Sequence, residues 1–385
     1  MILFKFSTIK NIIHYLLHLQ LMKTIYFLGS GFSKAAGGLV QKEIIKIILD
    51  EGFTQGKEHL IEAKKNFIDF IKNELHVSED HFCGVRLEDV FTPIDGCISN
   101  GYSFGSYSSK DLENLREEFN ALMGEALDYS FQKNKASCDY INDFADYIND
   151  IAKKRVDDGI DRVSVITTNW DIIFDQALKR SIDNSHPDKL SVLDYCCYVS
   201  SWVAKDESVK PGLLALGNGG YNIKLLKLHG SMNWFQCPLC QRMYVRFGED
   251  IEMMKAEYCR HCKTNYKMQN SDSIKLQSNL LLPTYLKNLS NIQIKVVWQN
   301  AAIEFSEASK IVFIGYSLPD ADFEIRQLFS RMIRPDAEIH VVLYPYGPHV
   351  DEEEERYMNF FGNRIKKENI MRITVPEYVK KLTGK

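Results

Sequence analysis

Five short apolar runs, spaced out by helical patterns, constrain this chain more than anything else in it. They lie at 23–28 (KTIYFL), 162–168 (RVSVITT), 223–228 (IKLLKL), 310–314 (KIVFI) and 338–343 (EIHVVL). Each is the length of a buried strand and rich in the β-branched residues that pack well on a pleated surface. Helical patterns fall between several of them, at 170–181, 291–308 and 320–332. Strands alternating with helices predict an α/β fold: a Rossmann-like parallel sheet with helices on both faces. A chain of 385 residues has room for two or three structural units. Between about 55 and 157 the strand-like runs stop and helical patterns with charged faces take over, clearest at 57–75, 110–132 and 138–156. This stretch reads as a helical insertion, leaving 23–54, 158–236 and 271–385 for the sheet-bearing domain.

Composition narrows the class. Hydrophobic residues make up 45% and charged residues 25%, which is ordinary for a globular protein, and the net charge of −4 gives no electrostatic support for direct nucleic-acid binding. The nine cysteines are odd in number, and four of them form two C-x-x-C pairs, a pattern that fits a reducing cytoplasm better than a secreted disulfide framework. Residues 1–22 contain Lys5, Lys10, His14, His18 and Gln20, so neither a signal peptide nor a membrane span is expected there. Ile9, Ile12, Ile13, Leu16 and Leu17 share one helical face. Two readings stay open: a packing helix for a neighbouring subunit, or an extension upstream of a true start at Met22.

Polar motifs gather just after the apolar runs, where ligands of open α/β sheets bind. The first is Gly29-Ser30-Gly31-Phe32-Ser33, a glycine turn leading into a helical pattern, which lets backbone approach a phosphate closely. Gly37-Gly38 follows, and the G-x-G-x-x-G spacing of dehydrogenases is missing. Next is Thr167-Thr168-Asn169-Trp170-Asp171, whose Thr168 or Asn169 is suited either to a ligand or to capping a helix near Trp170. Then Leu228-His229-Gly230-Ser231 offers a histidine able to take a proton near neutral pH, or simply a hydrogen-bonded structural one. Late in the chain, Gly315-Tyr316-Ser317-Leu318-Pro319-Asp320-Ala321-Asp322 places glycine and serine at a strand end, with Pro319 and the aspartates suited to starting the next helix.

Cys237-x-x-Cys240 and Cys259-x-x-Cys262 are separated by eighteen residues. Two such knuckles predict a four-thiolate tetrahedral zinc site within a small ribbon at 237–270. With four sulfurs the shell is closed, so the metal is structural, and His261 is an unneeded fifth candidate.

Taken in order, GSGFS, TTNWD, LHGS, the four-cysteine module and GYSLPDAD resemble the sirtuin family over about residues 24–345, with 55–157 as an addition. The resemblance implies that Gly29, Ser30, Gly31 and Ser33 line the phosphates of NAD. It further implies that Asn169 and Asp171 contact the nicotinamide ribose, that His229 acts near that ribose, and that Gly315 and Ser317 hold the adenosine side. Departures are informative. Where protein deacylases of the family carry a Gly-Ile-Pro-Asp-Phe-Arg-like run, Gly37-Gly38-Leu39-Val40-Gln41 stands here. Where their Phe-Gly-Glu segment receives the acyl-lysine peptide as an added strand, this chain has 280–285 (LLLPTY); its Phe247-Gly248-Glu249 lies inside the cysteine module. GYSLPDAD, the LEDVFTPI run at 87–94 and the helical stretch instead resemble sirtuin-like NADases of bacterial antiphage defence, which deplete NAD on infection. The implied reaction is hydrolysis of NAD to nicotinamide and ADP-ribose, the alternatives being protein-lysine deacylation or nucleotide sensing without turnover. About 40 residues follow Leu343, short of a sensor domain of usual size, so control is expected from a homo-oligomer or a partner. The resemblance favours a HerA-type ATPase as that partner over a short Argonaute.

Overall fold

The computed structural model describes residues 23–134, 136–185, 190–202, 212–247, 258–266, 275–347 and 349–385. The stretch 1–22 lies outside them, as do 248–257 and 267–274 of the cysteine module. Eleven strands are described: β1 (Thr24–Leu28), β2 (Val163–Thr167), β3 (Val192–Asp194), β4 (Val199–Ser201), β5 (Asn222–Lys227), β6 (Gly230–Gln236), β7 (Met243–Val245), β8 (Gln277–Leu280), β9 (Lys310–Ile314), β10 (Glu338–Leu343) and β11 (Ile365–Arg372). The five apolar runs are β1, β2, β5, β9 and β10, and all pair in parallel in one seven-stranded sheet of order β11-β10-β9-β1-β2-β5-β3.

Strands β1, β2, β5 and β9 are buried nearly end to end, as expected of strands covered on both faces. On one side the helices Asp139–Lys153, Ile173–Ser185 and Val375–Thr383 pack together; on the other lie Ile292–Glu307, Phe323–Met332 and Val350–Phe361. The chain moves outward from β1 through β2 in one direction and through β9 and β10 in the other. The edge of the sheet where the strands end therefore has its switch point beside β1, the usual place for a ligand crevice.

A second core lies outside the sheet. Leu60, Phe67, Phe70, Phe91, Phe119 and Leu122 are fully buried in it, with Leu280 and Leu282 reaching in from the end of β8. It is built from the helices Ile44–Leu49, Glu58–Asp69, Leu87–Asn100 and Ser109–Lys133. The Asp139–Lys153 helix belongs to the sheet's core instead, through Tyr140, Ile141, Phe144 and Ile148.

The sheet β4-β7-β6-β8 is separate and mostly antiparallel. Its β6–β7 hairpin carries Cys237 and Cys240, closed by Cys237 N–H to Arg242 C=O at 3.0 Å. Cys259 and Cys262 stand at the start of the Arg260–Asn265 helix.

Candidate functional site

Register brings the motifs together. Leu28 pairs with Thr167 on one side and Ile314 on the other, and Thr167 pairs with Lys227. The glycine turn, TTNWD, LHGS and GYSLPDAD therefore leave four neighbouring strands at the same level, in the spatial order β9, β1, β2, β5. Asn169 and His229 each stand two residues past a paired position, and Leu228 N–H to Thr167 C=O at 2.9 Å carries the pairing to the edge of their turn.

The two glycine turns lock into each other. Gly29 N–H donates to Ile314 C=O at 3.0 Å and Gly31 N–H to Gly315 C=O at 2.9 Å. A Cβ on Gly29 would come within 2.5 Å of Gly315 O, and one on Gly31 within 2.8 Å of the same atom. The room these glycines leave is thus occupied by the opposite turn, a packing reason for glycine that the motif alone does not reveal. Ser30 and Ser317 are the half-buried polar residues on the two turns.

Around Ser33 a buried relay forms. Asn169 Nδ2 donates to Ser33 Oγ at 3.4 Å, and Ser33 Oγ donates to Asp171 Oδ2 at 2.9 Å. Asn169 N–H is taken by Thr167 Oγ1 at 3.0 Å. This orients the amide so that Asn169 Oδ1 is left buried with no hydrogen-bond partner. A buried acceptor without a partner is rare in folded proteins and marks this amide as a candidate contact for a ligand. The helix after this turn begins at Ile173, later than the pattern near Trp170 suggested, and Ile173 N–H is held by Asp171 Oδ1 at 3.2 Å. Asp171, not Thr168 or Asn169, closes the helix end, so both its oxygens are engaged within the protein. Burial pushes its carboxyl pKa up, opposed by Lys227 and by the Ser33 hydroxyl.

Lys227 is a buried residue that sequence reasoning missed. Its ammonium donates to Asp171 C=O at 2.6 Å and pairs with Asp175 at 3.0 Å, while Tyr195 OH donates to Asp175 at 2.6 Å. A lysine at the end of an apolar strand is the only sequence signal for it.

His229 is held by backbone: Leu281 N–H donates to its carbonyl at 2.9 Å, and Trp298 Nε1 donates to the preceding Leu228 carbonyl at 2.9 Å. The ring is buried and its Nε2 has no hydrogen-bond partner. Burial lowers its pKa to about 4, with nearby Asp322 opposing the shift and Lys287 adding to it. Neutral imidazole is therefore the form near pH 7, and it is the form that accepts a proton.

The four cysteine ligand atoms lie within 4.8 Å of one another, with Cys237 and Cys262 sulfurs 3.7 Å apart and Cys240 and Cys259 3.6 Å apart. Tetrahedral zinc with bonds of about 2.3 Å needs sulfurs roughly 3.8 Å apart. The set fits zinc in number, softness and spacing, and Tyr244 OH, 3.4 Å from Cys259 Sγ, supports it from outside. The four-cysteine cluster stands in its own small hydrophobic core with Phe235, Tyr244 and Leu276.

No family model matches the chain, and no curated protein matches it. Among solved structures the chain is similar to a complex of a Sir2 homolog with NAD, at 14% identity and a TM-score of 0.43, covering 96% of this chain and 92% of that one. It is also similar to a Sir2–p53 peptide–NAD+ complex, at 13% identity and a TM-score of 0.39, covering 96% of each chain.

Proposed function

We propose that the chain is an NAD+ glycohydrolase that acts as an NAD-depleting effector in antiphage defence, with Asn169 and His229 as its catalytic pair. The observation that carries this reading is Asn169 Oδ1, buried and without a partner, at the switch point of a parallel sheet and one strand away from a neutral His229. In the reaction, the bond from the ribose anomeric carbon to the nicotinamide nitrogen breaks and its electron pair leaves with nicotinamide. Water adds to the carbon, and its proton is passed on. The transition state is oxocarbenium-like, so an oriented carbonyl dipole and a proton acceptor are the groups such chemistry uses.

Asn169 Oδ1 accepts from the attacking water or a ribose hydroxyl. His229 takes the proton as a neutral base. Asp171 acts one step back: it fixes Ser33 and so the side chain of Asn169. On the strength of the resemblance we assign Gly29, Ser30, Gly31 and Ser33 to the phosphates of NAD, and Gly315 and Ser317 to its adenosine side. Zinc in the cysteine ribbon holds the fold of that module and takes no part in the reaction.

One feature supports hydrolysis over protein deacylation. The segment 280–285 is occupied by the chain itself: Leu280 and Leu282 are buried in the helical core, and Tyr285 N–H donates to Thr92 Oγ1 at 3.1 Å. We read the packing of the LEDVFTPI helix against this segment as leaving no strand edge for an acyl-lysine peptide, which supports hydrolysis. Among the described residues no helix is long and apolar enough to cross a membrane. The trigger we assign to a partner, a HerA-type ATPase, or to homo-oligomer assembly, on the strength of the resemblance.

Purified full-length protein incubated with NAD, alone and with that ATPase, is to be assayed for free nicotinamide and ADP-ribose. Release that requires an acetyl-lysine peptide and yields acetylated ADP-ribose would establish the deacylase instead, and binding of NAD without release would leave a sensor.

A further inference from the structure

We infer that Asp322, held in place by Tyr316 and Lys287, is the positioning residue for His229: it keeps the imidazole proton on Nε2 and so leaves Nδ1 as the acceptor for substrate. This rests on the reading of His229 as a proton acceptor given above, and adds a residue whose sequence context pointed elsewhere. Asp322 sits at the N-cap of the Phe323–Met332 helix, where an aspartate normally accepts from the first backbone amides. Its side chain makes no such cap bond. The carboxylate is buried and turned to three side chains instead. Tyr316 OH donates to Oδ2 at 2.8 Å, Lys287 Nζ lies 3.3 Å from Oδ1, and His229 Nε2 lies 3.5 Å from the same oxygen.

Lys287 is itself nearly inaccessible, its side chain 1% exposed, and its ammonium also donates to Ala321 C=O at 2.6 Å and Thr284 C=O at 3.2 Å. With the Tyr316 hydroxyl donating to one oxygen and the Lys287 ammonium beside the other, the carboxylate presents acceptor oxygens to the ring. The ring nitrogen facing it therefore carries the proton, and in neutral imidazole that assigns the lone pair to the other nitrogen. The 3.5 Å separation is at the outer limit of hydrogen-bond range, so Asp322 acts on the ring chiefly through charge and orientation. The charged and titratable groups on this side of His229 are Asp322, Lys287, Tyr316 and, behind Lys287, Glu324 at 3.4 Å from its ammonium. Asp322 and Lys287 act on the imidazole with opposite sign.

The test is long-range proton–nitrogen NMR of the full chain labelled with 15N-histidine, the His229 signals being identified by their loss in His229→Gln. Wild type is expected to show a neutral ring protonated on Nε2. Asp322→Asn, nearly isosteric, is expected to lose that preference and titrate lower, and Lys287→Met to titrate higher. With NAD as substrate, Asp322→Asn should lower kcat by about 10²-fold with KM little changed. A wild-type ring protonated on Nδ1, or an Asp322→Asn spectrum and kcat like wild type, overturns the inference. If Asp322→Asn does not fold, the wild-type tautomer and the direction of the Lys287→Met shift decide. Because the NMR needs no turnover, the two readings fail separately: an Nε2–H ring in a protein that releases no nicotinamide keeps the role of Asp322 and removes the NAD hydrolase.

Discussion

The interlocked turns after β1 and β9 should tolerate no side chain at their glycines, and a three-member alanine series separates the reasons. Gly101, the C-cap of the Leu87–Asn100 helix, has φ 69° and nothing within 4 Å of a built Cβ, so Gly101→Ala carries only the left-handed backbone cost, about 1 kcal/mol. Gly31 does not have positive φ, but its Cβ would meet Gly315 O at 2.8 Å and Gly315 Cα at 2.9 Å. Both atoms are backbone and cannot rotate away, so Gly31→Ala carries overpacking alone, about 1–3 kcal/mol. Gly315 combines the two, with φ 61° and a Cβ 2.4 Å from Phe32 N and 2.5 Å from Gly31 C. Gly315→Ala should therefore cost about 2–4 kcal/mol, near the sum of the other two. Urea unfolding followed by tryptophan fluorescence reads these differences as midpoint shifts at constant slope. If Gly315→Ala is no more destabilising than Gly101→Ala, the turns have room to separate and the locked geometry is wrong.

Asn169→Ala and His229→Ala should each abolish nicotinamide release. Asn169→Ala should leave the unfolding midpoint within about 1 kcal/mol of wild type, since its side chain makes one long hydrogen bond and leaves Oδ1 unpaired; a large loss of stability would make it a structural residue. For His229, the folded pKa of about 4 lies below the ordinary 6.5, so the unfolded chain binds a proton first as pH falls. Stability from this group is complete above about pH 6.5 and lost as pH drops towards 4, by at most roughly 3 kcal/mol. Wild type minus His229→Gln should show that slope in urea midpoints, and a flat difference would refute the burial argument. Elemental analysis should find about one zinc per chain, and Cys259→Ser should lose it and unfold the ribbon. Metal-free protein with an unchanged fold in that module would end the zinc assignment.

Periodicity and residue type determined the sheet. Runs such as IVFI are short and unbroken in apolar residues, which suits strands covered on both faces, so β1, β2, β5, β9 and β10 were legible from local pattern. The cysteine cluster follows the same way, because two short knuckles and a metal's need for four soft ligands leave little else. Strands on the margins were not readable. β11 (IKKENIMR) and β8 (QSNL) carry polar residues because they lie at sheet edges, where one side of the strand stays open. Nor did helical periodicity say which core a helix joins: Asp139–Lys153 packs on the sheet, while the helices before it make a core of their own. The site residues split along the same line. Asn169, His229 and the glycine turns stand out because polar and glycine residues after a buried strand have few structural reasons to be there. Asp322, Lys287 and Lys227 do not. An aspartate before a helix looks like a cap, and a lysine looks like solvent surface, until strand order and burial set each beside a charge 35 or 52 residues away. Parallel pairing made the four turns neighbours, and burial then lowered the pKa of His229 and forced Asp322, Lys287 and Lys227 to find partners. Those are long-range effects of one packed arrangement, and no local pattern encodes them.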